Sequence, residues 1–554
     1  MKKSTKFISL FLAALMLLAT LTGCANSKDG GKGKTDIPKV KFPLEEPYTL
    51  RAMVKGVVSQ DDLEKSSYYQ KLVEDTNVRL ELIPLGDEPT TTLNAMLSAG
   101  TYGDVIIGVL NDSLLTDLAY GDFLIPIEDY IQDADLMPNY NTRGLSTIPE
   151  AVKTMTLPDG HIYSVARIDA NKAGNLESPL VVNKEWVKKS GADLSTIEGF
   201  TEYLRYVRDN DMNGDGKTND EIPLLIANST ATPYATVQAC LGMWGLATKD
   251  SALDSYCVVK KGKVSLAPMM DAYKEAISTL SSWYKEGLIW SELYTANKES
   301  FDSRLNDRTT PQWGATFGVI HLSSAASYAD DLEAIKYPAI EGYQPCAYMN
   351  PGYLGYKNTF TITKNCEHPE IAMAWLDQIY SQEGTVAISY GLESDKDIPG
   401  YTPQYDFKED GSIEQITISL EQSDMNKKLC PRLSSIFGGA YLYLRAQEDY
   451  DAGKVILSKA LSQIGEIYQF YGNDVNREVW PRPYYTQEIN DEINAVRTDV
   501  FNIITQYEAK WIVGQSDINA DWDGYKKQME DAGAVRLAEL LQSAYDTWAS
   551  AGKK

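Results

Sequence analysis

A first β-strand is predicted at Tyr48-Thr-Leu-Arg-Ala-Met-Val54, where β-favouring residues form a short run. The residues behind it predict a helix over 68–76 and an alternating strand at Val78-Arg-Leu-Glu-Leu-Ile83. A further helix contains residues 93–98, and the apolar run Asp104-Val-Ile-Ile-Gly108 is typical of a buried parallel strand. The order β-α-β-α-β predicts a doubly wound sheet with right-handed crossovers.

A second α/β unit follows the first and indicates a second lobe. Its predicted elements are strands at 161–166, 180–183 and 222–226, and helices at 196–207 and 237–244. The chain has 554 residues, which is too many for one hydrophobic core. We therefore predict an α/β fold with two hinged, doubly wound lobes and a helical C-terminal region.

Each lobe is expected to be discontinuous in the sequence, because later strands return to it. We assign residues 45–168 and about 315–355 to lobe 1, and residues 169–314 and about 356–475 to lobe 2. Residues 476–554 are expected to form mainly helices that pack on the lobes.

The first 24 residues have the pattern of a secretory leader. Lys2, Lys3 and Lys6 precede an apolar run over 8–21, which is too short to span a bilayer comfortably. The run closes with Leu21-Thr-Gly-Cys24, which resembles a bacterial lipobox. This resemblance implies that residues 1–23 are removed and that Cys24 carries a lipid.

The segment 24–44 is expected to be a flexible tether, because its first part is polar and rich in glycine. No later segment has the length and hydrophobicity of a transmembrane helix. The sequence therefore predicts an extracytoplasmic protein that is anchored to the cell membrane by lipid.

The composition excludes several classes of partner and site. The formal net charge of −25 argues against binding nucleic acid or a polyanionic ligand. Only three histidines are present, so a histidine-rich metal site is not expected. Five cysteines remain besides Cys24; their spacing shows no disulfide framework, and we expect buried free thiols: Cys240, Cys257, Cys346, Cys366 and Cys430.

Several segments, taken in order, carry a family resemblance. They are 93–106 (LNAMLSAGTYGDVI), 182–191 (VNKEWVKKSG), 211–223 (DMNGDGKTNDEIP), 283–289 (WYKEGLI), 368–377 (HPEIAMAWLD), 381–384 (SQEG), 510–514 (KWIVG), 521–525 (DWDGY) and 542–548 (QSAYDTW). The set resembles the extracellular solute-binding proteins of carbohydrate ABC importers, specifically the large lipoprotein branch similar to alginate-binding periplasmic proteins. Tyr102-Gly103 and Gly391-Leu-Glu-Ser-Asp395 depart from the family pattern.

The resemblance implies a two-lobed, periplasmic-binding-protein-like fold and a receptor without enzymatic activity. Such a protein captures an oligosaccharide in the cleft between its lobes and delivers it to the permease subunits of the importer. The chain is expected to act as a monomer.

Two other functions stay open on the residues alone. A binding protein of the same fold can take a non-sugar solute such as a peptide, since fold does not determine the ligand. A secreted glycoside hydrolase needs two placed carboxylates, and with 77 acidic residues a pair can always be found. No nucleophile elbow, HExxH helix or Walker loop is present in the sequence.

The segment Asp211-Met-Asn-Gly-Asp-Gly-Lys-Thr-Asn-Asp220 is predicted to bind Ca²⁺ for a structural purpose. Ca²⁺ prefers six to eight oxygen ligands, and alternating polar residues in a tight glycine-bearing loop supply them. The family resemblance implies the same register. The candidate ligands are Asp211, Asn213, Asp215, the Lys217 carbonyl with its ammonium turned away, Asn219 and Asp220.

Another register of this loop begins at Asp209 and also ends at Asp220, with Gly214 at the tight turn. Glu221 is an alternative to Asp220 as the bidentate ligand. The spacing alone does not choose between these registers, and a solvated turn without an ion is the remaining alternative.

Sugar sites combine an aromatic platform with planar polar side chains that bond hydroxyl pairs. Residues near the predicted lobe crossings and strand ends fit this description. The polar and tyrosine candidates are Arg167, Asp169, Asn171, His321, Tyr353 and Tyr356.

Three tryptophans and Arg482 complete the predicted ligand site. Trp244 ends a helix, Trp313 begins a strand expected to return to lobe 1, and Trp480 stands two residues before Arg482. Prolines flank Arg482 on both sides and fix an extended backbone. A packed, proline-stiffened lobe crossing is the alternative for this segment.

Overall fold

Two large sheets, two small two-stranded sheets and the helices around them occur in the described part of the compact unit Lys39–Lys554. The computed structural model describes residues 37–551 apart from 57–58, 149, 171–175, 177, 219, 229–234, 247, 249–255, 308–310, 319–330, 349–355, 417, 438–441, 443 and 456–479. The leader, Cys24 and most of the tether therefore lie outside the described residues. No helix in the described part combines the length and apolarity of a membrane span.

Fourteen strands occur in the described residues, and ten of them form the two large sheets. The strands are β1 (Tyr48–Val54), β2 (Val78–Pro84), β3 (Val105–Ile107), β4 (Ser164–Asp169), β5 (Leu180–Asn183), β6 (Ile222–Leu224), β7 (Cys257–Lys260), β8 (Lys263–Leu266), β9 (Trp313–Phe317), β10 (Leu332–Ile335), β11 (Tyr356–Ile362), β12 (Tyr405–Phe407), β13 (Ile413–Gln415) and β14 (Leu444–Arg445).

Helices occupy many of the connections between the strands and most of the C-terminal region that is described. They are α1 (Gln60–Lys65), α2 (Ser67–Thr76), α3 (Pro89–Ala99), α4 (Asp112–Tyr120), α5 (Glu128–Ile131), α6 (Glu150–Met155), α7 (Lys184–Ser190), α8 (Ile197–Asp209), α9 (Val237–Cys240), α10 (Asp271–Lys285), α11 (Lys298–Leu305), α12 (Pro369–Ile379), α13 (Gln382–Tyr390), α14 (Leu420–Leu429), α15 (Leu433–Ile436), α16 (Gln447–Asp451), α17 (Gln487–Ile512), α18 (Ile518–Asp531) and α19 (Ala534–Ser550), together with a π-helix at Tyr140–Leu145 and a 3-10 turn at Leu241–Trp244.

Helix α8 illustrates why these segments are helical. The Thr196 side chain caps the first turn by accepting a hydrogen bond from the Gly199 amide at 3.1 Å. Phe200, Leu204 and Val207 recur at helical spacing and are all buried against the second sheet. The helix is therefore set by a cap at one end and one apolar face.

The first sheet has the strand order β2-β1-β3-β11-β4-β14. Its strands β1, β2, β3, β4 and β14 run parallel, and β11 enters antiparallel between β3 and β4. The predicted doubly wound start of the chain is confirmed in this sheet. The carboxyl ends of five strands and the amino end of β11 consequently share one edge, which we call the carboxyl edge.

The second sheet has the order β10-β5-β9-β6. Strand β9 is parallel to β6 and antiparallel to β5, and β10 is antiparallel to β5. Helices α17 to α19 share one hydrophobic core with this sheet through Val500, Trp511, Trp522 and Leu540. The C-terminal region thus belongs chiefly to the second half of the molecule.

The strand pairing reverses the predicted return segments. Residues about 315–355 were expected in lobe 1, but β9 and β10 pair with strands of the second sheet. Residues about 356–475 were expected in lobe 2, but β11 and β14 pair with strands of the first. The sequences of these returning strands carry no mark of the partner that they will meet.

All five described cysteines are free thiols, as expected from their spacing. Four of them are buried and the fifth, Cys346, is half-buried.

Candidate functional site

Ligands of open α/β sheets bind beyond the carboxyl ends of the strands. The carboxyl edge of the first sheet therefore marks the candidate site. Arg167 and Asp169 lie at the end of β4, and Tyr356 begins β11 beside them. Sequence reasoning had singled out all three residues, and the structure brings them to one edge.

Arg167 and Tyr356 form a stacked pair. They are paired across β4 and β11, and the Arg167 guanidinium carbon lies 4.8 Å from the centroid of the Tyr356 ring. Tyr356 is 47% exposed. The pair thus combines a planar group of hydrogen-bond donors with an accessible aromatic ring.

Asp169 is held by Arg445 of β14 and by Tyr450 of helix α16. The Tyr450 hydroxyl donates to Asp169 Oδ1, and an Arg445 guanidinium nitrogen lies 3.7 Å from Asp169 Oδ2. The carboxylate therefore joins the end of β4 to β14 and α16, and it keeps 19% of its side-chain surface exposed.

A charged network that sequence reasoning missed lies beside this pair. Lys357 Nζ is 2.8 Å from Asp112 Oδ2 and donates to the Arg482 carbonyl at 2.7 Å. Asn358 donates to Asp112 Oδ1 at 2.8 Å and accepts from the Tyr484 hydroxyl at 2.6 Å. These residue types are ordinary in sequence, and only the meeting of β11 with the start of α4 unites them.

The charges in this network lower the pKa of the Asp112 carboxyl. Burial by itself raises the pKa of the Asp112 carboxyl, but the charges of Lys357 and Arg482 and the hydrogen bonds from Lys357 and Asn358 outweigh it. The pKa of Asp112 consequently lies below its ordinary value.

The segment 480–484 crosses between the two hydrophobic cores. Trp480 is 3% exposed and packs in the core of the second sheet, where its ring stacks on Tyr545 at 6.5 Å. Tyr484 packs four residues later in a core of the first sheet. This supports the proline-stiffened crossing, and the predicted sugar platform at Trp480 is not supported because its ring is enclosed.

Arg482 is the midpoint of this crossing. It has φ +50°, a left-handed conformation that costs a residue with a side chain about 1–3 kcal/mol. The prediction of an extended backbone at this residue is therefore wrong. The two flanking prolines and the bond from Lys357 to its carbonyl hold the turn in place.

The other two tryptophans are also enclosed by protein. Trp313 is 1% exposed, and its indole donates to the Leu305 carbonyl at 3.3 Å. It lies in the second sheet and not in a strand returning to lobe 1. Trp244 is 4% exposed and borders a hollow of about 900 Å³ between α8 and α10. Their burial argues against either ring serving as a stacking platform.

Four of the predicted site residues are Asn171, Asn219, His321 and Tyr353, and they lie outside the described residues.

The predicted Ca²⁺ loop connects α8 to β6 and is organised around Asp211. Its carboxylate accepts from the Gly214 amide at 2.6 Å and from the Gly216 amide at 2.9 Å. Gly216 has φ +90°, which only glycine adopts readily. Counting from Asp211 places this glycine at the sixth position, where calcium loops need a sharp turn.

Asp209 pairs with Arg208 and is not bonded to the amides of the loop in the way that Asp211 is. Both of its carboxylate oxygens accept from Arg208, at 2.6 and 2.8 Å, and its side chain is 56% exposed. The geometry therefore favours the register that begins at Asp211 over the one that begins at Asp209.

Two buried acidic oxygens in the loop have no hydrogen-bond partner, namely Asp220 Oδ1 and Glu221 Oε2. The other Glu221 oxygen accepts from the Met212 amide at 2.7 Å. A buried carboxylate oxygen without a donor is costly, and a bound cation removes that cost. The donor set therefore fits a hard cation.

Lys217 differs from its prediction. Its ammonium does not point away but lies 2.7 Å from Asp215 Oδ2 and 3.5 Å from Asp220 Oδ2, because carboxylates attract the nearest positive charge. Among the described residues, no three His, Cys, Asp or Glu side chains form a metal-binding group. A cation here would accordingly need amide and carbonyl oxygens as well as carboxylates.

Comparisons with known proteins agree on the type of molecule. No family model matches the chain. The fructooligosaccharide ABC transporter substrate-binding protein FusA of Streptococcus pneumoniae is 26% identical over 98% of this chain and 99% of its own length. The structure of a FusA EF-hand mutant with fructo-nystose has a TM-score of 0.72 at 22% identity, covering 91% of this chain and 99% of FusA.

Two further solved structures have the same fold. A solute-binding protein of Bifidobacterium longum infantis that binds human milk oligosaccharides (HMO) gives a TM-score of 0.73 at 20% identity, over 91% of this chain and 99% of that one. The alginate-binding protein AlgQ2, solved without calcium ion, gives 0.65 at 18% identity, over 92% and 100%. These matches confirm the predicted resemblance and the two-lobed solute-binding fold. All of these relatives are binding proteins, as predicted for this chain.

Proposed function

We propose that this chain, a relative of the substrate-binding proteins of carbohydrate ABC transporters, captures a neutral oligosaccharide outside the cytoplasm and delivers it to permease subunits. The observation that carries the proposal is the match to FusA along nearly the whole of both chains. The shared fold and the polar and aromatic residues at the carboxyl edge support it. The net charge of −25 favours a neutral sugar over an acidic one such as alginate.

The ligand would lie between two lobes built around the two sheets. Lobe 1 combines residues 45–168 with the chain from β11 to α16, and lobe 2 combines β5 to β10 with α17 to α19. Arg167, Asp169, Asn171, His321, Tyr353 and Arg482 remain its proposed contacts. Closure is favoured by a ligand that contacts both lobes only in the closed form.

Titration calorimetry tests this function. We expect saturable binding of a neutral oligosaccharide, with kestose and nystose as the first probes, and no product by chromatography. Small-angle scattering should show compaction on binding. Binding of peptides alone would favour the other solute class, and release of shorter sugars would indicate a hydrolase.

The proposed anchor is Cys24, whose lipid would hold the protein at the cell surface as a monomer. Durable anchoring needs more than one acyl chain. A Cys24→Ser variant tests this by whether the protein leaves the membrane fraction.

We further propose that the loop 211–221 binds a structural Ca²⁺ through Asp211, Asn213, Asp215, the Lys217 carbonyl, Asn219 and Asp220, with Glu221 as the alternative bidentate ligand. The unpartnered oxygens of Asp220 and Glu221 support the site. The existence of an EF-hand mutant of FusA is in line with it.

Calcium at 100 times its dissociation constant should raise the free energy of unfolding by about 2.7 kcal/mol, because the ion binds only the folded loop. Asp211→Ala should abolish this gain in a thermal melt. Asp209→Ala is the matched control and should keep it, since Asp209 faces Arg208. A wild-type melt that EDTA leaves unchanged would exclude the ion.

A further inference from the structure

The pairing of β4 and β11 is irregular where Tyr356 begins. Tyr356 is paired with Arg167, and the next pair is Phe360 with Val165. Four residues of β11 thus span the same distance as two of β4. Irregularities of this kind re-aim side chains and are common next to binding sites.

Tyr356 also differs from the other exposed large apolar side chains of the described residues. These are Tyr120, Ile416, Leu420, Met425 and Val535. Tyr120 lies at the far end of α4, whose first residue Asp112 is at the carboxyl edge. The remaining four lie near β13 and in α14 and α19. Among these exposed side chains of the described residues, the ring at the carboxyl edge is therefore that of Tyr356.

The chemistry of the pair suits a sugar. A guanidinium over an aromatic face is attracted by the ring quadrupole, which fixes the ring in orientation. An aromatic ring buries the apolar C–H face of a pyranose or furanose, and the guanidinium fork donates to neighbouring hydroxyls. The ion pair of Lys357 with Asp112 places balanced charge beside it, which suits a neutral guest.

We propose that Arg167 and Tyr356 form one sugar-ring subsite on the first sheet. Tyr356 stacks on a single ring of a neutral oligosaccharide, and Arg167 holds the tyrosine ring and donates hydrogen bonds to the hydroxyls of that sugar. This subsite rests on the proposed function and adds to it a specific stacking platform.

Titration of the purified chain with kestose and nystose tests the subsite. Tyr356→Ala should weaken binding about 10- to 100-fold, because a half-buried aromatic contact is lost. Tyr356→Leu keeps apolar bulk but loses the ring, and it should weaken binding at least about 10-fold. Tyr356→Phe should bind within about threefold of wild type, since only the hydroxyl is removed.

Tyr120→Ala is the matched control, because Tyr120 is also exposed but lies away from the edge. It should leave affinity unchanged. Arg167→Lys keeps the charge but not the fork, and should weaken binding with an unchanged melting temperature.

The outcomes separate the two proposals. If the wild-type chain binds and the Tyr356→Leu and Tyr356→Ala variants bind as tightly as it does, the subsite is overturned and the proposed function stays intact. If the wild-type chain binds none of kestose, nystose, a human milk oligosaccharide or an N-glycan, both are overturned.

Discussion

Replacing Arg143 by alanine is expected to destabilise the protein by about 3–5 kcal/mol, because it leaves a buried carboxylate without its counter-charge. Arg143 stands in the π-helix, and one of its terminal nitrogens lies 2.6 Å from both oxygens of Asp449. The Asp449 side chain is 0% exposed and that of Arg143 is 10% exposed. The guanidinium also donates to the Tyr380 carbonyl and to Glu448.

The substitution Arg143→Ala should disturb the candidate site as well as lower the stability of the fold. Asp449 accepts from the Ala446 amide at 2.8 Å and so holds the turn after β14, the edge strand beside β4. Loosening β14 removes support from Asp169, which bonds to Tyr450 and faces Arg445. Weaker sugar binding should therefore accompany the lower stability.

Urea unfolding measures the effect, and the chain offers a matched control. Arg205 makes a similar two-pronged contact with Glu286, at 2.8 and 3.1 Å, but the two side chains are 47% and 32% exposed. Arg205→Ala should cost at most about 1 kcal/mol. The double variant Arg143→Met with Asp449→Leu should recover part of the loss, since it removes both charges but also the acceptor of the Ala446 amide. Equal costs for Arg143→Ala and Arg205→Ala would contradict the argument.

The second large effect is expected at Glu508, a fully buried carboxyl in α17. It accepts from Tyr273 at 2.8 Å, from Tyr256 at 3.2 Å, and from Gln238 and Asn228 at 3.3 Å. Burial raises the pKa of Glu508 to about 7, although these hydrogen bonds work in the opposite direction.

The sign of the pH dependence follows from this raised pKa. Between the ordinary value of 4.5 and about 7, the folded chain keeps a proton that the unfolded chain has released. The contribution of Glu508 to the free energy of unfolding is thus fully present below pH 4.5 and is lost as the pH rises through about 7. The expected loss is about 3 kcal/mol, from roughly 1.4 kcal/mol for each pKa unit.

Other groups around Glu508 do not titrate in this window. They are Tyr256, Tyr273, Tyr294, Tyr525 and Cys240, and burial raises the pKa of each above its ordinary value. The hydroxyls of Tyr256 and Tyr273 therefore stay protonated and keep donating to Glu508.

The substitution Glu508→Gln should remove this pH dependence of the stability. Urea unfolding at pH 5 should give similar stability for the two chains, and at pH 8 the variant should be more stable by about 2–3 kcal/mol. The oxygens of Asn228 and Gln238 have no partners and can accept from the new amide. Glu492→Gln, an exposed change in the same helix, should leave the slope unchanged. A Glu508→Gln chain that is less stable than wild type at pH 8 would show that the charged form is required.

Local patterns predicted much of the molecule. The alternation and short apolar runs at 48–54, 78–83 and 104–108 predicted three strands of the first sheet, because period and burial are written in adjacent residues. The loop 211–220 was also predicted to bind Ca²⁺, since its oxygens and glycines stand within one short segment. The structure adds the preference for Asp211 over Asp209.

Features that depend on contacts between distant residues were harder to predict from the sequence. The tryptophans at 244, 313 and 480 were predicted as sugar platforms, yet each ring is almost wholly buried. An aromatic residue has the same local signature whether it packs in a core or faces a ligand. The meeting of Asp112 with Lys357 involves residues 245 positions apart, so no spacing rule could have indicated it.

The amino-acid sequence by itself determined the net charge of −25 and the two α/β units, and it predicted a leader over residues 1–23 and a cation-binding loop at 211–220. Only the tertiary structure decided which sheet each returning strand joins, which aromatic rings remain accessible and which charges meet at the carboxyl edge. The physical reason is that secondary structure and loop chemistry depend on neighbours along the chain. Strand partners, burial and ion pairs instead depend on residues that folding brings together from distant positions.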